Sequence, residues 1–94
     1  MVENVATLNT QAIELASSGH YFEAIACLKR AISLEKHNHL LWYNLGITYR
    51  DSGNLSAAKS ALLNAHEIND EDDEVIETLA LVCFNQGCNE EALS

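Results

Sequence analysis

Residues 42–49 read Trp42-Tyr43-Asn44-Leu45-Gly46-Ile47-Thr48-Tyr49. Working outward, Gly46 has small counterparts 34 positions away on either side, Ala12 and Ala80. Gly19, Gly53 and Gly87 keep the same interval, and so do Ala24, Ala58 and Ala92. Leu28 matches Leu62, Ala31 matches Ala65, and Leu34 matches Ile68. So many coincidences at one period identify an internal repeat, and the repeat decides the fold.

Each unit reads as two helices. They are expected near residues 4–17 and 22–35, then 39–52 and 55–68, then 73–86, with a sixth starting near 89. Apolar side chains recur at helical spacing: Leu8, Ala12 and Leu15; Ile25, Leu28 and Ile32; Leu41 and Leu45 with Thr48; Leu55, Leu62 and Ala65; Ile76, Leu79 and Cys83. Asn4, Asn38 and Asp72 are the expected N-caps of the first helix in each unit. The three glycines fall where that helix must stop, because glycine takes the left-handed conformation at little cost. Ala12, Gly46 and Ala80 lie midway along the first helices, and Ala24, Ala58 and Ala92 near the start of the second. Small side chains at both places let two antiparallel helices approach closely.

The stretch 42–49 resembles the W-x-x-L-G-x-x-Y core of the tetratricopeptide repeat, and Ala58, Leu62 and Ala65 occupy that family's small–large–small positions. The first unit is looser, with Leu8 and Leu15 for the aromatics; the third has Ile76, Leu79, Ala80 and Cys83. The family's proline at the end of the second helix is replaced by Lys36 and Asp70. The resemblance implies an all-α fold of antiparallel helix-turn-helix units stacked in a right-handed superhelix. It also implies a single domain over 1–94, with repeats at about 5–38, 39–72 and a partial third at 73–94.

The chain has 94 residues, 48% of them apolar, with no proline and a formal net charge of -9. The charge argues against nucleic acid, whose phosphates need a basic face, and against an anionic membrane surface. It is compatible with a basic peptide or cationic patch. Three cysteines, Cys27, Cys83 and Cys88, suit a reducing compartment better than a disulfide framework. With no apolar run near the roughly 18 residues of a membrane span, a cytoplasmic protein is expected.

Solenoids of this kind offer a concave face, and in the tetratricopeptide family the first helix of each unit lines it. Carried over by repeat position, the resemblance implies a groove of Asn9, Thr10, Ile13 and Ser17 from the first unit. The second contributes Leu40, Tyr43, Asn44, Ile47, Arg50 and Asp51, and the third Glu74, Glu77, Thr78, Leu81, Phe84 and Asn85. Ile13, Tyr43, Ile47, Leu81 and Phe84 are candidate apolar anchors, although Ile47 and Leu81 are also candidates for the core. Family members that hold chaperone C-termini use a clamp of Lys, Asn and Arg. The matching positions are Asn9, Ile13, Asn44, Glu74 and Thr78, of which only Asn44 agrees. A carboxylate-clamp role is therefore not expected. A protein or peptide partner with apolar and basic side chains fits better.

Other clusters carry less. Asp70, Glu71, Asp72, Asp73, Glu74 and Glu77 are acids gathered where a helix begins, which its dipole favours; EF-hand spacing is absent. His37-Asn38-His39 reads as a solvated turn without a third metal ligand. Cys83 is expected in the core and Cys88 near the surface, with no redox spacing. No catalytic constellation, cofactor motif or metal site emerges, so a non-catalytic scaffold is expected. Self-association and an accessory role in a larger enzyme are the alternatives. The last residues, Asn89 to Ser94, begin a helix without the polar cap a solenoid end needs. That suggests a piece of a longer array, or association through Leu79, Val82, Cys83 and Leu93.

Overall fold

The computed structural model describes residues 4–86. The repeat produces five helices: α1 (Val5–Ser17), α2 (Tyr21–Leu34), α3 (His39–Asp51), α4 (Leu55–Ile68) and α5 (Asp73–Gln86). Each falls within two residues of its expected span. Gly87, Cys88, Ala92, Leu93 and the span of the expected sixth helix lie outside the described residues.

The helix ends follow from local chemistry. Asn4 Oδ1 accepts from the Thr7 amide at 2.8 Å, Asn38 Oδ1 from Leu40 at 3.1 Å, and Asp72 Oδ1 from Glu74 at 3.0 Å. Asn54 caps α4 in the same way through Ala57. Helices α1 and α3 end alike. The Gly19 amide bonds to Ala16 O and the His20 amide to Leu15 O; Gly53 and Asn54 repeat this with Arg50 and Tyr49. These paired bonds require a left-handed residue, and φ is +85° at Gly19 and +93° at Gly53. Where the family has proline, side chains make the turn instead. Asn38 Nδ2 donates to Glu35 Oε1, and Asn69, 34 positions after Glu35, accepts from the Glu71 amide.

Packing is a matter of neighbours. Each helix lies against the next in sequence, while α3 also touches α1 and α5; α1 and α5 do not meet. The result is an elongated body of 52 × 28 × 18 Å with α1, α3 and α5 side by side. Leu28, Leu41 and Leu62 are buried almost completely, and burying such a side chain contributes about 1.5–3 kcal/mol. Gly46 explains the small residue at mid-helix. A Cβ there would lie 2.7 Å from Leu62 Cγ, so α3 and α4 could not come as close.

Three expectations need correction. On α5 the buried residues are Val75, Thr78 and Val82, whereas Ile76 is 43% exposed, Ala80 is exposed and Leu79 and Cys83 are partly buried. Val75 and Val82 stand 34 positions after Leu41 and Thr48 and face the preceding unit as those do. Ile76 and Ala80 match Trp42 and Gly46, which α4 covers; no described helix covers the third unit's equivalents. Val82 therefore does not belong to an open face. Second, His39 is no solvated turn residue: its Nε2 lies 2.9 Å from Asp72 Oδ2, with both side chains about four-fifths buried. Asn69 Nδ2 lies 3.4 Å from the same nitrogen, which cannot donate to one and accept from the other. The shorter, charged contact takes the proton. Third, Thr78 is buried beneath the groove rather than presented in it.

The first unit differs on its outer side. Thr7, Gln11 and Glu14, all exposed, stand in register with Leu41, Leu45 and Thr48, which are buried against the unit before them.

Candidate functional site

The groove is built by the three parallel first helices, whose 34-residue register brings equivalent positions into rows. One row is Ile13, Ile47 and Leu81. Two polar ties cross between units beneath it. Asn44 Nδ2 donates to Asn9 Oδ1 at 2.8 Å, and Tyr43 Oη lies 3.4 Å from Thr78 Oγ1. The first leaves the other amide group of each asparagine, one N–H2 and one carbonyl, able to pair with a peptide unit.

Between α1 and α3 the surface deepens into a cavity of about 470 Å³. Ile13, Ala16, Ile47 and the edge of Leu28 give it an apolar wall, Tyr43 and Asn44 line it as well, and Thr48 completes the floor. Ser17, Arg50 and Asp51 form its polar end. Arg50 Nη2 is 3.2 Å from Asp51 Oδ1, a partly exposed pair that neutralises itself locally and adds little stability.

Of the residues expected in the groove, Ile13, Ser17, Tyr43, Asn44, Ile47, Arg50 and Asp51 meet in this cavity. Asn9 adjoins it through Asn44. Leu40, Glu74, Glu77, Leu81, Phe84 and Asn85 are exposed elsewhere on α3 and α5. Thr10 belongs to a different depression, with Ala6, Thr7 and Gln11 on the outer side of α1. Ala16 was missed, although it stands in register with Arg50 and Phe84. In the sequence Leu28 shows only as part of an apolar stripe, because periodicity does not reveal that one edge of a buried residue can still line a cavity.

Charge is unevenly spread over these helices. Arg50 is the one Lys or Arg in α1, α3 and α5, against Glu14, Asp51, Asp73, Glu74 and Glu77. Glu74 and Glu77 are exposed on α5. Asp72, at its start, is held below the usual carboxylate value by the hydrogen bond from His39 and by the amides it caps.

A second cleft of about 310 Å³ lies at the turn end, between Tyr21, Phe22 and Ile25 of α2 and Tyr49 of α3. No group of three or more His, Cys, Asp or Glu suited to a metal is found among the described residues. None of the described helices is long and apolar enough to cross a membrane.

The tetratricopeptide repeat family model matches residues 15–82. The chain belongs to the tetratricopeptide repeat family, whose repeats are characteristically protein-interaction modules. No curated protein matches its sequence. Among solved structures it is similar to the first tetratricopeptide domain of Spaghetti (RPAP3) bound to the HSP90 peptide SRMEEVD. The TM-score is 0.87 at 21% identity, over 95% of this chain and 72% of that one. At that identity the likeness concerns the fold.

Proposed function

We propose that this chain is a non-catalytic interaction scaffold that holds a segment of another protein across α1, α3 and α5. The observation that carries this reading is the open, largely apolar cavity between α1 and α3, with Ile13 half exposed at its wall. The partner's matching side chains are apolar, with basic ones nearby given the net charge of -9. Although the similar domain above carries an HSP90 peptide, a carboxylate clamp is not the reading here. Ile13, Glu74 and Thr78 stand at clamp positions, and Glu74 would repel a terminal carboxylate.

The test is a photo-crosslinking residue placed at Ile47, with a control at Leu63, exposed on α4. A groove partner crosslinks from position 47 and not from 63. Ile13→Asp then weakens that partner at least about tenfold while helicity is kept. Ile13 is a cleaner probe than Tyr43, which packs into the core around Leu62. Equal crosslinking from both positions would remove the groove from consideration.

A second reading, self-association, is favoured by the apolar surface on α5, where Ile76, Leu81 and Phe84 are 43%, 57% and 69% exposed.

A further inference from the structure

Resting on the groove reading, we infer that the partner is an extended segment with an aliphatic anchor and a cation at a fixed interval. The aliphatic side chain enters between α1 and α3, and a Lys or Arg lies over Glu74 and Glu77 of α5.

Three observations carry this. The α1–α3 cavity is walled by Ile13, Ala16 and Ile47, and the charges at its rim, Arg50 and Asp51, cancel each other. It therefore accepts an uncharged apolar group. The α5 side is the reverse: Glu74 and Glu77 are exposed and no base stands on that helix. Of the five acids and one base on the three helices, three acids stand on α5, so the negative field is strongest there. The asparagine pair crossing the floor offers one donor and one acceptor, which suit an extended backbone with unpaired peptide groups.

Geometry then sets the interval. Packed helix axes lie about 8–10 Å apart, so the centre of the α1–α3 cavity is about 12–15 Å from α5. An extended chain rises about 3.3 Å per residue, so the distance spans about four residues, and the reach of a Lys or Arg side chain along either direction spreads this by about one. The cation belongs roughly three to five residues from the anchor. A helical partner, rising about 1.5 Å per residue, would need an interval about twice as long.

The probe is a displayed library of random dodecapeptides, selected on this chain at low and at physiological salt. The expected result is enrichment of Leu, Ile or Met with Lys or Arg three to five positions away, and weaker retention as salt rises. Selection on the Glu74→Lys/Glu77→Lys variant should exchange the cation for Asp or Glu at the same interval, with the aliphatic residue kept. Circular dichroism and melting would establish that the variant folds. Enriched peptides that lack the cation, that show it at about twice that interval, or whose charge preference ignores the α5 reversal would overturn the inference. The groove reading would survive those results as long as Ile13→Asp abolishes retention. Peptides retained equally by Ile13→Asp, or no enrichment at all, would overturn both.

Discussion

At the residue scale the least comfortable side chain is His66. It stands 34 positions after Ile32, which is buried between units. Its Nδ1 is buried as well, without a hydrogen-bond partner among the described residues. A buried polar atom left unpaired costs about 1–3 kcal/mol. Restoring the first unit's choice, His66→Ile, should stabilise the fold by about 1 kcal/mol in urea unfolding, allowing for imperfect fit of the branched side chain. An unchanged or lower midpoint would mean that the nitrogen reaches water, or that the ring's shape matters more than its polarity. Gly46 makes the opposite point, since there the smallest residue is demanded by Leu62 rather than merely accepted.

At the element scale, helix termini join the units. Asp72 caps α5 and also receives the His39 ring from the start of α3. Its ionised form is thus bonded from two helices, and its folded pKa lies below the ordinary 3.8. The sign follows. Its contribution is fully present above pH 3.8 and is lost as the pH falls through the lowered folded value. Asp72→Asn should therefore flatten the acid limb of the stability profile below about pH 4, as followed by urea midpoints against pH. A mutant with the same acid limb as the wild type would assign the loss to other carboxylates.

Much of this level was legible in the residues. The 34-residue interval located all five described helices, and Asn4, Asn38 and Asp72 announced their caps. What the interval could not convey was which side of α5 would be covered. Val75 and Ile76 are both aliphatic and adjacent, and a helical stripe drawn through either is equally regular. The neighbour in space decides, and α5 has a described neighbour on one side. The His39–Asp72 contact was hidden for a related reason. It spans 33 residues, and only the return of the chain brings turn and cap together. For the groove, repeat register set the candidates on α1, α3 and α5. It could not separate Thr10, turned to the outer edge, from Asn44, its counterpart in the cavity.

For the whole molecule, charge and apolar surface oppose each other. A net charge of -9 keeps copies apart, while Ile76, Leu81 and Phe84 on α5 invite contact. Repulsion is screened by salt and apolar attraction is not. Sedimentation should show a monomer at low ionic strength and association that grows with both salt and protein concentration. A strict monomer throughout would exclude α5 as a self-contact. Leu81 shares its row with Ile13 and Ile47, so such association would compete with a partner that lies across α5.

Helices α1 and α5 never touch; each is tied to the rest only through α3 and its own neighbour. Local opening of α1 and of α5 is therefore coupled only indirectly, through the helices between them. A segment lying over α1, α3 and α5 would act as a splint. It would bind most tightly when both helices are formed, and so would link their opening equilibria. Helices α1 and α5 would then acquire through their ligand a more direct coupling than their shared contact with α3 provides.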